Sequence, residues 1–434
     1  IAADRNPLYA AHPIPRRDGV PRGAGALGQP RSSLEISLYV HIPFCAARCP
    51  YCDFATAPAT SRLRARYLEA LATEIRREGA MLGRPRVRTL YYGGGTPSLL
   101  EPGEIAVLAD ALRSSFELAP AEATVEANPA TLDRARLDAW RAAGITRISL
   151  GAQSLTAAGL AALARTHQPE DTAAAVDAAR SAGLDVSIDL IFGWAGQTLD
   201  AWRADLEAAV GLRPDHISCY PLELAMEPEE SSTNWPGAGW ESVRRWRATQ
   251  TAVQPGDEEV ARMYRIAERA LRDAGFRHYE IANWARPGKR CEHNLAYWRN
   301  GEWLGLGTGA HSHLGGVRSR RPASVVAYIA AIEAGDARIA EGAADDAADT
   351  AMLALRLDEG LDLDAYAARF GHGAAERVRA SLGESAGLGL VRFVDHIARL
   401  TPRGRLLASE VFVRLLPDDD VLTSPQRSLA LAAT

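Results

Sequence analysis

The sequence lacks several features that would place it in a specialised class of protein. No apolar stretch reaches the roughly 20 residues that a helix needs to cross a bilayer, so we predict at most peripheral contact with a membrane. Neither sign of charge predominates, because the chain has 49 basic and 54 acidic residues. Such a balance gives no positive electrostatic field that would attract nucleic acid, so we exclude nucleic acid as a partner. The first residues lack the pattern of a secretion signal, and we expect a cytoplasmic protein.

Cysteine is scarce, with five residues in 434, but three of the five are clustered. Cys45, Cys49 and Cys52 follow a strand-like run in the spacing CxxxCxxC. A loop of this kind brings three thiolates to one face of a 4Fe-4S cluster and leaves the fourth iron open. S-adenosylmethionine (SAM) can chelate that iron, and an electron from the cluster can then cleave SAM to a 5′-deoxyadenosyl radical.

Two alternative roles for the cysteines stay open at this point. A structural zinc site normally needs four protein ligands, and His41 or Asp53 is the candidate for the fourth. The thiols can also be unrelated to one another. A disulfide accounts for them less well, because a cluster of three leaves one cysteine unpaired. The spacing favours the open cluster over both.

Strand-like and helical segments alternate six times between residues 36 and 225, which indicates a parallel β-sheet covered by helices. Ligands of parallel α/β folds lie at the carboxyl ends of the strands. The cysteine loop and the motif GGGTPS follow such ends, so we expect one site there. The predicted strands span 36–41, 87–92, 123–127, 147–150, 185–192 and 216–220.

The remaining chain is less regular. Residues 1–34 are rich in proline and arginine, and we predict a disordered extension before a barrel unit at 35–225. Residues 226–342 are predicted to form an insertion that packs on the barrel. Within it, 227–256 is predicted to be a long loop, and the later aromatic and glycine-rich segments are predicted to be loops over the sheet. Short helices and a hairpin at 343–434 predict a small winged-helix-like domain.

Polar side chains that follow the strands are candidates for a ligand site. The carboxylate of Glu126 accepts hydrogen bonds from hydroxyls or an amine, and the amide of Gln153 both donates and accepts. Arg165 offers a planar fork to a carboxylate. Asp189 lies within an apolar strand, where a charged side chain is seldom buried without a partner. Taken singly, each of these residues is more often structural than functional.

Several motifs resemble those of radical-SAM proteins in the coproporphyrinogen-III-oxidase-like family, and within it the heme chaperone branch. They are YVHIPFC, CPYCDF, GGGTPS, LGAQS, HNLAYW and GLGTGAHS, and the resemblance covers roughly residues 36–415. It implies a partial (β/α)6 radical-SAM barrel, in agreement with the strand count. Whether one or two SAM molecules bind stays open. The resemblance places SAM contacts at Tyr39, Gly94, Gly95, Thr96, Glu126, Gln153, Arg165 and Asp189.

HNLAYW matches the HNxxYW signature of the heme chaperone branch, which implies heme binding by His293, Asn294, Tyr297 and Trp298. A neutral imidazole is a good axial ligand for heme iron. The two aromatic rings supply flat apolar surface for a porphyrin. The other candidates for the axial ligand are His278, His311, His313 and Cys291.

The resemblance implies a heme chaperone that binds heme, a 4Fe-4S cluster and SAM, and passes heme to an apo-hemoprotein, with respiratory proteins among the candidate acceptors. An electron donor and a homodimer are further expectations. The alternative is an oxygen-independent coproporphyrinogen III oxidase, which would make the protein an enzyme. True oxidases carry a fourth cysteine two positions after the third, where this chain has Phe54. Phe54 and HNLAYW together favour the chaperone.

Overall fold

The computed structural model describes residues 34–223, 240–343 and 346–416. The predicted extension lies outside these residues except for Leu34. Positions 227–239 of the predicted loop and the chain after 416 also lie outside them. The strands are β1 Glu35–Ile42, β2 Phe44–Cys45, β3 Ala57–Pro58, β4 Arg86–Gly94, β5 Glu117–Ala127, β6 Arg147–Gln153, β7 Asp185–Phe192, β8 His216–Pro221, β9 Arg277–Glu280, β10 Asn283–Ala285, β11 Trp303–Leu306, β12 His311–Leu314, β13 Val317–Arg320, β14 Ile339–Ala343, β15 Leu361–Asp362, β16 Val391–Val394 and β17 Ile397–Leu400. The helices are α1 Ser61–Met81, α2 Pro102–Ser115, α3 Arg134–Ala142, α4 Ala157–Ala162, α5 Pro169–Ser181, α6 Leu199–Gly211, α7 Trp240–Val253, α8 Asp257–Asp273, α9 Glu292–Trp298, α10 Val325–Ala334, α11 Asp346–Leu355, α12 Leu363–Phe370, α13 His372–Gly387, α14 Pro402–Leu406 and α15 Ala408–Phe412.

Twelve strands form one sheet, in the order β14, β13, β12, β11, β1, β4, β5, β6, β7, β8, β10, β9. From β11 to β8 the neighbouring strands are parallel, and both flanks of the sheet are antiparallel. The six predicted parallel strands are confirmed as β1, β4, β5, β6, β7 and β8. β5 begins earlier than predicted because Glu117 pairs with Arg86 of β4.

Two predictions about the later chain are wrong. Trp240–Val253 of the predicted loop form helix α7, whose buried Arg247 and Gln250 recur at helical spacing. The aromatic segments after residue 276 join the sheet as strands or form α9, instead of lying over it as loops. Short stretches of sequence do not reveal this strand pairing, because Trp303 of β11 pairs with Ser37 of β1, far away along the chain.

The C-terminal part has its own apolar core, built from residues such as Leu382, Leu400 and Phe412. Its strands β15, β17 and β16 form a three-stranded sheet beside helices α11 to α15. Thr401 caps α14 by accepting a hydrogen bond from the Gly404 amide, and Pro402 follows as the first residue of the helix. Across all described residues, no helix is both long enough and apolar enough to cross a membrane.

Candidate functional site

A cavity of about 740 Å³ opens at the carboxyl ends of the parallel strands. It is lined from β2, β4, β5, β6, β7 and β8, so the sheet curves around it, and the C-terminal part closes one side through Leu406 and Phe412. Tyr39 is not among the lining residues; its hydroxyl bonds Nδ1 of His41 at 3.0 Å. The structure brings ten of the predicted positions to this cavity, namely Cys45, Cys49, Cys52, Gly94, Gly95, Thr96, Glu126, Gln153, Arg165 and Asp189.

The donor set at the cysteine loop fits a cluster better than a single metal ion. In the described ranges, no three His, Cys, Asp or Glu side chains converge on one metal position. Three thiolates of an iron–sulfur cluster bind three different irons and need no shared point. His41, a candidate for a fourth zinc ligand, has both ring nitrogens engaged, with Tyr39 at 3.0 Å and the Ala55 carbonyl at 2.9 Å.

Two side chains contact the sulfur atoms directly. Thr96 Oγ1 donates to Cys45 Sγ at 3.5 Å, and Arg165 Nη1 donates to Cys49 Sγ at 3.1 Å. Burial raises the pKa of the Cys45 thiol to about 11, and the bond from Thr96 opposes that shift. Both residues were predicted to contact SAM, and the structure shows that they also position thiols. The buried Nε of Arg165 has no hydrogen-bond partner within the described chain, so it retains capacity for a ligand.

The GGGTPS motif begins at the end of β4, beside the end of β1, and its second and third glycines leave no room for a side chain. Gly94 has φ of +113°, and a Cβ there would lie 2.5 Å from the His41 ring. A Cβ on Gly95 would lie 2.6 Å from the carbonyl carbon of Pro43. The Gly95 amide instead bonds the Ile42 carbonyl at 2.8 Å, and the Gly94 amide bonds Glu126 Oε2 at 3.1 Å. The amides of the motif therefore connect the end of β4 to β1 and to β5.

Asp189 lies at the wall of the cavity on β7, with its side chain almost fully buried. Its Oδ2 accepts a hydrogen bond from Ser149 at 3.1 Å, while Oδ1 has no hydrogen-bond partner within the described chain. Burial raises the pKa of this carboxyl to about 6. A buried oxygen of this kind is satisfied by a polar ligand. Nearby Gln153 has φ of +65°, a strained backbone typical of functional sites.

The HNLAYW helix α9 lies elsewhere, against the inner side of β4 and β5. Glu122 of β5 accepts hydrogen bonds from the amides of Glu292 and His293 at 3.1 and 3.3 Å. His293 is 1% exposed, with Nδ1 on Thr89 Oγ1 at 2.9 Å and Nε2 on Tyr297 Oη at 2.8 Å. Burial lowers the pKa of His293 to about 3, so its imidazole is neutral at physiological pH.

The predicted heme contacts are His293, Asn294, Tyr297 and Trp298. None of them is among the described residues that line the cavity. Axial ligation by His293 requires one ring nitrogen to give up its hydrogen bond, either that of Nε2 with Tyr297 or that of Nδ1 with Thr89. The other candidate ligands are also engaged, in bonds of His278 with Asp358, His311 with Glu341, His313 with Asp346 and Cys291 with Glu122.

Sequence reasoning missed two residues at the site. Ser149, inside strand β6, binds Asp189, and its signal was a polar residue within an apolar strand. Arg247 of α7 contacts the cysteine loop, with Nε at 3.4 Å from the Pro50 carbonyl and Nη2 at 3.5 Å from Asp53. Phe54 lines the cavity at the position where an oxidase carries its fourth cysteine.

Comparison with known proteins agrees with this geometry. Residues 39–209 match the Radical SAM superfamily and residues 343–407 match the HemN C-terminal domain. A heme chaperone HemW from Mycobacterium tuberculosis is 38% identical over 398 residues, which cover 90% of this chain and 95% of that protein. HemW from Bacillus subtilis is 33% identical over 87% of this chain and 98% of its own.

The structure also resembles that of coproporphyrinogen III oxidase HemN from Escherichia coli. The TM-score is 0.74 at 24% sequence identity, and the match covers 88% of this chain and 90% of HemN. At this identity the likeness shows the fold alone, and it confirms the predicted radical-SAM fold with a helical C-terminal domain. The Radical SAM match and the two HemW relatives, each covered over almost its whole length, show that this chain belongs to the heme chaperone branch of the coproporphyrinogen-III-oxidase-like radical-SAM family.

Proposed function

We propose that this protein is a heme chaperone that carries a 4Fe-4S cluster and SAM, and that transfers heme to an apo-hemoprotein. The observation that carries the proposal is the gathering of three thiols, a glycine turn and two buried polar groups around one cavity. Relatives that span nearly the whole chain are named heme chaperones.

The chain's own residues divide the work at the cavity. Cys45, Cys49 and Cys52 would hold the cluster, which when bound supplies an iron that the amino and carboxylate groups of SAM can chelate. Arg165 holds Cys49 and keeps one buried N–H for a ligand. Asp189 presents a carboxyl oxygen from the cavity wall.

Heme binding is assigned in this proposal to the HNLAYW helix. The neutral His293 imidazole would ligate iron, and Tyr297 and Trp298 would face the porphyrin. Because the ring is buried and doubly hydrogen-bonded, α9 has to loosen first. The chaperone would therefore bind heme more slowly than diffusion allows.

Oxidation of coproporphyrinogen III is the second candidate. The cavity volume of about 740 Å³ is in the upper part of the range of ligand pockets and leaves space beyond the cluster loop. Against it stands Phe54, which replaces the additional cysteine of the oxidases.

A heme titration of the anaerobically reconstituted protein tests the proposal. We expect a saturable Soret shift of defined stoichiometry, followed by loss of that band when an apo-hemoprotein is added. His293→Ala weakens binding, whereas His372→Ala, which removes an exposed histidine on α13, does not. Thermal unfolding of both variants controls for loss of fold. Absence of a Soret shift would overturn the proposal. Decarboxylation of coproporphyrinogen would favour the second candidate.

A further inference from the structure

A continuous set of side chains joins the cavity to the buried HNLAYW helix through the interior of the barrel. At the cavity end, Glu126 uses one carboxylate oxygen for the Gly94 amide at 3.1 Å and the other for the Tyr91 hydroxyl at 3.0 Å. At the other end, the Tyr91 ring stacks on His293, with centroids 5.1 Å apart and an interplanar angle of 26°. Tyr91 thus contacts a predicted SAM ligand and the predicted heme ligand at once.

We propose that Tyr91 is a positioning residue that couples ligand binding at Glu126 to the release of His293. The inference rests on the proposed function, in which SAM contacts Glu126 and His293 ligates heme. It adds the side chain that makes each binding event sense the other.

The Tyr91 hydroxyl cannot change partner without consequence. Tyr91 is 3% exposed, and its hydroxyl donates to Glu126 Oε1 at 3.0 Å. A buried hydroxyl that loses its acceptor costs about 1–3 kcal/mol. When a hydroxyl or ammonium group draws Glu126 toward the cavity, the Tyr91 side chain has to follow or lose its bond.

Movement of the Tyr91 ring reaches His293 because the two rings are packed face to face in a close-packed interior. The imidazole is held by Thr89 on one nitrogen and Tyr297 on the other, so three neighbours fix its position. A shift of one neighbour lowers the cost of moving the ring out to iron. SAM bound at Glu126 is therefore expected to strengthen heme binding.

Linkage makes the effect reciprocal. If SAM raises the affinity for heme by a given factor, heme raises the affinity for SAM by the same factor. This identity checks the heme and SAM titrations against each other, whichever residue carries the coupling.

The test is a set of heme titrations on the cluster-loaded protein, with and without saturating SAM. We expect SAM to tighten heme binding at least about fivefold in the wild type, within the usual range of coupling between sites. Tyr91→Phe keeps the ring and its stacking but removes the hydroxyl, and it should reduce the factor below about twofold. SAM titrations with and without heme should return the same factors.

Tyr92→Phe is the matched control. Tyr92 is the next residue on β4, is also buried, and packs against Trp140 of α3. Its variant should retain the wild-type factor. A wild-type factor of one, or an equal factor in Tyr91→Phe, overturns the inference while leaving the chaperone proposal intact. Failure of the wild type to bind heme at all would contradict both the inference and the chaperone proposal.

Discussion

At the scale of one residue, the buried carboxyl of Asp189 lowers the stability of the folded protein when it is ionised. Its raised pKa of about 6 means that the folded state keeps a proton that the unfolded chain releases near pH 4. Between these values the folded state binds more protons than the unfolded state. The free energy of unfolding therefore falls, through this group, as pH rises from about 4 to about 6.

Asp189→Asn should remove that contribution. The amide does not titrate, so the variant gains stability relative to the wild type by about 2–3 kcal/mol as pH rises from 4 to 6. Denaturant unfolding of both proteins at several pH values measures the difference. A constant difference across the window would show that the wild-type carboxyl titrates normally.

The same residue illustrates what the sequence can reveal. A carboxylate inside an apolar strand was a local signal, and Asp189 does line the cavity. The cysteines and glycines of the site could likewise be identified from short stretches of sequence. The burial of His293 could not be predicted in this way, because its hydrogen-bond partner Thr89 lies 204 residues away in the sequence.

At the scale of the secondary-structure element, the turn after β4 depends on the absence of side chains. Gly95→Ala would place a methyl group against backbone atoms of Pro43 and Phe44. We expect a loss of about 1–3 kcal/mol in the free energy of unfolding, with a lower iron content after reconstitution. Gly103→Ala is the control, since a Cβ there meets open space in the first turn of α2. Equal effects of the two substitutions would show that crowding at the turn does not decide its stability.

Helix α7 stabilises the cysteine loop through Arg247. Arg247→Ala removes the contacts with Pro50 and Asp53, and we expect a local destabilisation of about 2 kcal/mol. Hydrogen exchange of the loop amides should accelerate, while exchange in β7 stays unchanged. Thr249→Ala, on the exposed side of the same helix, should leave exchange in the loop unchanged. Unchanged exchange in Arg247→Ala would contradict the role assigned to α7.

Elements differ in how far they are predictable. The parallel strands β1 and β4 to β8 carry apolar runs that are visible in short windows. The strand β11 is four residues long and contains glycine, and most of its ladder is formed with the distant strand β1. Helix α9 is fixed by Glu122, which lies 170 residues from Glu292.

On the scale of the whole molecule, an ion pair helps to hold the C-terminal part beside the cavity. Arg405 of α14 bonds Glu268 of α8 at 2.8 Å and also lines the cavity, while its second bond, with Asp358 at 2.8 Å, lies within the C-terminal part. These groups are partly buried, so the pairs are stronger than typical surface pairs.

Arg405→Ala should therefore weaken the attachment of the C-terminal part by about 2 kcal/mol and lower the melting temperature. Arg403→Ala, an exposed neighbour on the same helix, should change stability by less than about 0.5 kcal/mol. Differential scanning calorimetry compares them. An equal melting temperature for both variants would show that packing alone holds the C-terminal part in place.

The proposed function depends most on three thiols that hold an iron–sulfur cluster with one iron open to SAM. Electron paramagnetic resonance of the reduced, anaerobically reconstituted protein, with iron and sulfide quantified in the same sample, tests this directly. We predict about four irons and four sulfides per chain and a spectrum that changes when SAM is added. Protein that retains zinc without sulfide, or a cluster spectrum indifferent to SAM, would contradict it.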